Sequence, residues 1–229
     1  MPVNFENTLV VGISSRALFN LEQANSIFNN QGEEEYEKFQ RLNEDIPLEK
    51  GTAFHLVEAL LNLNNIKKGL VEVVVMSRNS AITGLRVLNS IRHYNLPITR
   101  SCFTNGSSLT PYLESFNVSL FLSKNENDIQ EVINSQKCAA ALIYEHPQDY
   151  RPDTQILKIA FDADAVIFDE KSEIIYKNSG IDKFHEHEDS LQNVPLEEGP
   201  FGGFFKKLSQ IRKEIGKKYL RIADRKSVV

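Results

Sequence analysis

The stretch Val71-Glu72-Val73-Val74-Val75-Met76 decides the fold. It is a β-branched, apolar run broken only by Glu72, the composition of a strand buried on both faces, and such strands belong to parallel sheets. Working outward, Thr8–Ile13, Ile98–Phe103, Val118–Leu122 and Ala139–Tyr144 read as further strands. Helical segments lie between them. Leu21–Leu42 is charged and rich in Glu, and Pro47 then breaks the chain. A helix starting at Thr52 carries Phe54, Val57, Leu60 and Leu61 at helical spacing, with Gly51 or Thr52 near its N-cap. Ile82–Tyr94, Leu109–Phe116 and Glu126–Asn134 complete the set. Strand and helix alternate, which predicts an α/β fold with a parallel, doubly wound, Rossmann-like sheet.

Composition bounds the function. A chain of 229 residues with 41% hydrophobic residues can bury one large core or two small ones. A net charge of -5 lacks the basic balance of a nucleic-acid binder. The N-terminus shows no signal peptide, and no apolar run approaches the ~20 residues that span a bilayer. The expectation is a cytoplasmic protein without membrane or nucleic-acid partners. Cys102 and Cys138 sit in apolar surroundings and read as buried reduced thiols.

After a loop with Pro147 and Pro152, a new strand at Ile156–Phe161 opens a second pass through the same pattern. Adding 148 carries Pro47-Leu48-Glu49-Lys50-Gly51 onto Pro195-Leu196-Glu197-Glu198-Gly199. The same shift carries Ala17, Glu22, Ile27, Asn30, Gly32 and Leu60 onto identical residues, and Tyr36 onto Phe184. The ten identities in one ungapped register exceed the roughly three expected from ordinary composition. Residues 1–150 thus read as a first copy and 151–229 as the start of a second. Val71–Met76 falls on Tyr219–Asp224, so the second copy is expected to be incomplete at Val229. Unpaired strand edges then point to a homo-oligomer that covers them.

The strand Ile156–Phe161 runs into Asp162-Ala163-Asp164-Ala165-Val166. The carboxyl end of a strand in a parallel sheet is where ligands bind. Two carboxylates there suit Mg²⁺, a hard cation that prefers oxygen ligands. They can also divide labour, one as nucleophile and the other as proton donor and acceptor. An acidic loop that merely caps a strand is the plainer reading of the same residues.

The Asp162–Val166 segment resembles the first motif of haloacid-dehalogenase-like phosphohydrolases. Further segments resemble the cytosolic 5'-nucleotidase I family within that class. They are Ser14-Ser15-Arg16-Ala17-Leu18-Phe19, Pro47-Leu48-Glu49-Lys50-Gly51-Thr52-Ala53-Phe54, Met76-Ser77-Arg78-Asn79-Ser80, Thr83-Gly84-Leu85-Arg86-Val87, Phe184-His185-Glu186-His187-Glu188 and Gly199-Pro200-Phe201. The resemblance implies helical cap elements on the sheet and a Mg²⁺-dependent hydrolase of nucleoside 5'-monophosphates, AMP-like or IMP-like. It implies Asp162 as nucleophile through an aspartyl-phosphate, Asp164 as general acid/base, and both as metal ligands. It also gives Met76-Ser77-Arg78-Asn79 the look of a phosphate-binding second motif, with Ser77, Arg78 and Asn79 on the substrate and Arg78 suited to bidentate pairing.

The departures open an alternative. The first copy has Ser14 and Arg16 where the second has Asp162 and Asp164, and so reads as non-catalytic. The second lacks the later Ser or Thr, Lys and acidic pair of such enzymes. The alternative is a catalytically impaired, truncated relative that binds nucleotide or regulates. A composite site is a third arrangement, with the strand before Asp162 pairing beside Val71–Met76 so that Ser77 and Arg78 serve Asp162.

Smaller features read plainly. Glu33-Glu34-Glu35 is a solvated helix face. Asn105-Gly106-Ser107-Ser108 is a turn rather than a phosphate loop. His185 and His187 lack the companions of a zinc site and read as an exposed part of the cap. The basic residues from Lys217 to Lys226 form a terminus, not a nucleic-acid patch.

Overall fold

The computed structural model of the protein describes residues 5, 7–146, 151–161 and 200–224. Five parallel strands form the main sheet in the order β3-β2-β1-β4-β5. They are β1 (Leu9–Ile13), β2 (Val71–Ser77), β3 (Arg100–Phe103), β4 (Leu120–Ser123) and β5 (Ala139–Leu142). The helices are α1 (Ser15–Leu18), α2 (Glu22–Gln31), α3 (Glu33–Leu42), α4 (Phe54–Asn62), α5 (Leu85–His93) and α6 (Glu126–Ser135). The parallel Rossmann-like sheet expected from the strand pattern is present. The chain builds outward from β1 to β3 and then returns to the other side of β1, so the strand order reverses between β1 and β4.

Alternation along the strands explains the apolar runs. Leu9, Val11, Ile13, Val73 and Val75 face a layer that includes Phe54, Val57 and Leu60 of α4 and Val87 and Ile91 of α5. Val10, Val74, Met76 and Phe121 face the other way, against Leu113 and the α6 residues Ile129 and Val132. A strand covered on both sides has little room for polar residues. Glu72 is tolerated because Arg100 of the neighbouring strand donates to it from Nε at 2.6 Å.

Several expected boundaries move. Leu21–Leu42 is two helices, because Gly32 takes φ 88° and breaks the helical path between them. The helix expected from Thr52 starts at Phe54, with Ala53 at its N-cap and no side-chain cap. Thr52 instead donates its hydroxyl to Glu145 at 2.9 Å. Ile82–Tyr94 becomes helical only at Leu85, since Ser80 and Thr83 hold a turn before it through mutual side-chain bonds. Leu109–Phe116 contains one 3₁₀ turn, Thr110–Tyr112, with Pro111 in its first residues.

Two strands stand apart. β6 (Leu157–Phe161) pairs in parallel with β7 (Leu220–Asp224), and α7 (Pro200–Ile215) precedes β7. A shift of 148 lays Leu9–Ile13 of β1 on Leu157–Phe161 of β6. Pairing begins at Leu9↔Val71 in one case and Leu157↔Leu220 in the other, one residue later than the shift alone would give. Phe204, Leu208 and Ile211 of α7 join the core of the main sheet. The strand pairing of the composite arrangement is corrected here: both edges of β2 are taken, by β1 and β3, and β6 pairs with β7.

Candidate functional site

The carboxyl ends of β1, β2 and β4 open into a crevice of about 420 Å³ at the point where the strand order reverses. Ligands of open parallel sheets bind at that point. Ser14 and Ser15 follow β1, Ser77 ends β2, and Ser123 ends β4; all four line the crevice. Ser14 is the N-cap of α1, accepting from Ala17 N at 3.3 Å. The hydroxyls of Ser15 and Ser77 lie 2.9 Å apart and are buried. Phe28 of α2 and Tyr36 of α3 meet edge to face at 5.6 Å and form an aromatic wall.

Among the expected substrate residues, Ser77, Arg78 and Asn79 all line this crevice. Their commitments differ. The Ser77 hydroxyl is shared with Ser15 at 2.9 Å and accepts the Asn79 N–H at 3.3 Å, with no charged partner. Arg78 donates from Nε to Asp128 at 2.6 Å and from Nη2 to Glu131 at 2.8 Å. Burial works against its charge, but Glu131 and Asp128 outweigh this and hold its pKa above the usual value. Burial also pushes the Asp128 carboxyl up, with Arg78 opposing. The guanidinium fork expected for phosphate is thus occupied by carboxylates.

Asn79 is different. Its Oδ1 accepts from the Tyr36 hydroxyl at 3.3 Å, while its buried Nδ2 has no partner among the described residues. The loop that faces it is spent on structure. Thr104, Asn105 and Gly106 donate their N–H groups to the carbonyls of Ser77, Asn79 and Arg78. The segment from Asn105 is therefore a turn, as its sequence predicts, and not an anion loop.

Cations at the rim are also paired. Arg16 donates to both oxygens of Glu22, at 3.1 and 2.6 Å. Lys124 reaches Glu22 at 3.1 Å and also contacts Glu145. Arg16 first, with Lys124 adding and burial opposing, holds Glu22 down to about 2. The uncharged donors that line the crevice include serine hydroxyls and the Asn79 amide. No group of His, Cys, Asp and Glu suited to a metal ion occurs among the described residues. Of the carboxylates that line the crevice, Asp128 is bound to Arg78.

Asp162 and Asp164 lie outside the described residues, as do His185 and His187. Phe161, just before the aspartates, packs against Phe204 and Phe205 at 6.1 and 5.6 Å. Both cysteines are free and buried, as expected. The sequence reading missed Ser15, Tyr36 and Asp128. Ser15 stood beside the quoted Ser14, but only the β1–β2 pairing brings it to Ser77.

A family model described as 5'-nucleotidase matches residues 1–226. Cytosolic 5'-nucleotidase 1B from Homo sapiens is 34% identical over an alignment of 229 positions that covers 96% of this chain. The chain spans about a third of that curated relative, 37% of its length. No solved structure gives a significant match. Among the described residues, no helix is long and apolar enough to cross a membrane.

Proposed function

Since this chain belongs to the 5'-nucleotidase family, we propose that it hydrolyses nucleoside 5'-monophosphates, with AMP and IMP as the nearest substrate types. The observation that carries the reading is the crevice at the ends of β1, β2 and β4, lined both by hydroxyls and by the rings of Phe28 and Tyr36. That combination suits a phosphate joined to an apolar, flat base.

The reaction is assigned to the Asp162-Ala163-Asp164 segment. Asp162 attacks phosphorus as a carboxylate nucleophile and forms an aspartyl-phosphate. Asp164 protonates the leaving ribose oxygen and then takes a proton from the attacking water. The two carboxylates are also the proposed holders of Mg²⁺, which when bound offsets the repulsion between carboxylate and phosphate. Ser77, Arg78 and Asn79 are the proposed nucleotide-binding residues; Ser77 and Asn79 act directly, and Arg78 through the frame it makes with Asp128. The same reading takes residues 1–150 and 151–229 as two copies of one unit. The coincidence of β1 with β6 under a 148-residue shift supports it.

Phosphate release from AMP and IMP with Mg²⁺, measured for the wild type and Asp162→Asn, tests the proposal. Turnover that disappears in the variant supports it. No turnover in either folded protein, with AMP still bound, moves the reading to a nucleotide-binding or regulatory protein.

A further inference from the structure

Resting on the reading that the crevice takes a nucleoside 5'-monophosphate, we propose that Asn79 is the neutral donor that grips the phosphate, and that Arg86, Gln40 and Tyr36 are positioning residues that fix the direction of its amide.

The direction follows from a one-way relay. An arginine side chain can only donate hydrogen bonds. Arg86, 9% exposed, donates from Nη1 to Oε1 of Gln40 at 3.3 Å. Gln40 is 1% exposed, and with its oxygen so used its Nε2 donates to the Tyr36 oxygen at 3.1 Å. Tyr36 has one hydroxyl hydrogen, and it goes to Oδ1 of Asn79 at 3.3 Å. The first two links follow from the donor-only guanidinium, and turning the Asn79 amide round would give up the bond from the Tyr36 hydroxyl. Nδ2 is left with its hydrogens and no protein acceptor among the described residues. A buried donor without a partner is costly, and such groups in folded proteins call for an explanation. An acceptor supplied by the ligand is the one that fits.

Position selects the phosphate. Asn79 lies two residues beyond Ser77, the end of β2, and its backbone N–H donates to the Ser77 hydroxyl at 3.3 Å. Ser77 in turn meets Ser15 at 2.9 Å. A phosphate offers only acceptors, which matches hydroxyls and an amide that have hydrogens to give. The nearby cations do not compete, because Arg78 is held by Asp128 and Glu131, and Arg16 by Glu22. The aromatic pair Phe28 and Tyr36 lines the same crevice and offers an apolar ring face for the base.

Calorimetric titration of the full chain with AMP, adenosine and inorganic phosphate, without added divalent metal, tests this. Asn79→Asp replaces the donor by an anion of nearly the same shape. It is expected to weaken AMP and phosphate binding about ten- to a hundredfold while adenosine changes by less than about twofold. Tyr36→Phe removes the hydroxyl that orients Asn79 and is expected to weaken AMP by a smaller factor in the same sense. It also decides the matter if Asn79→Asp does not fold. Unchanged AMP binding in both variants overturns the proposal, and so does equal loss of AMP and adenosine. A wild type that binds neither AMP nor phosphate overturns the nucleotide reading of the crevice, and the Asn79 assignment with it.

Discussion

Arg78 Nε donates to Asp128 Oδ1 across 2.6 Å, joining the end of β2 to the first turn of α6 from the two sides of the strand-order reversal. The arginine that the sequence offers as a phosphate ligand is, in the folded chain, a strut of the crevice wall. Its second carboxylate, Glu131, also accepts the Ser108 hydroxyl at 2.7 Å, so the strut reaches the loop after β3.

Asp128→Ala should therefore destabilise the fold. The Asp128 side chain is only 10% exposed and that of Arg78 33%. Removing one partner of such a half-buried pair costs about 2 kcal/mol, between the surface and fully buried cases. Urea unfolding of Asp128→Ala, Arg78→Ala and the double variant measures it. Strictly additive effects would show that the pair contributes no coupling.

Two glycine replacements should act in opposite directions. A Cβ on Gly51 would come within 2.7 Å of Phe19 N and 2.8 Å of Ala17 O, both backbone atoms that cannot step aside. Gly51→Ala is expected to cost about 1–3 kcal/mol, as overpacking does. Gly203, inside α7, has nothing within 4 Å of such a Cβ. Gly203→Ala is expected to stabilise by about 0.5–1 kcal/mol through helix propensity. Midpoints of chemical unfolding for the two variants check the contrast.

Acid should reveal the Glu22 cluster. Glu22 is held from 4.5 down to about 2, chiefly by Arg16. A depressed folded-state pKa gives stability that is complete above the unfolded value and lost as pH falls through the folded one. The stability difference between wild type and Glu22→Gln should thus be present at neutral pH and vanish between pH 4.5 and about 2. The side chain is 47% exposed, so solvent screening keeps the difference under about 1 kcal/mol. Thermal melts of both proteins across that range decide it; a constant difference down to pH 2 would refute the assignment.

Thiol labelling should be slow in the native state. Burial pushes Cys138 up to about 12 and raises Cys102 as well. Thiolate is the reactive form. A thiol reagent at pH 8 is expected to modify both cysteines only after denaturation. Rapid labelling of the folded protein would contradict their burial.

Periodicity made the sheet legible. Val71–Met76 and its neighbours announce buried strands because a strand covered on both faces must be apolar at every position, a constraint visible without coordinates. The glycine of Pro47-Leu48-Glu49-Lys50-Gly51 could be read as important from its recurrence at Gly199, but its reason is a contact: the segment runs beside α1, with Gly51 N donating to Leu18 O at 2.9 Å. Helix starts were less legible. Thr52 satisfies a local rule for helix entry and Ile82 opens a segment that reads as helical, yet Thr52 is drawn to Glu145 and the Ser80–Thr83 turn delays α5.

By itself the sequence determined the parallel α/β class, the alternation that buries each strand, the family, and the three residues at the end of β2 that line the crevice. Tertiary structure alone decided what those residues are free to do. Arg78 is claimed by carboxylates 50 and 53 positions away, and Asn79 is oriented by a relay through residues 36, 40 and 86. Hydrogen bonds between residues so far apart follow from packing rather than from any local pattern. Strand order brings the partners together, and their fixed directions of donation then leave one amide with hydrogens to give.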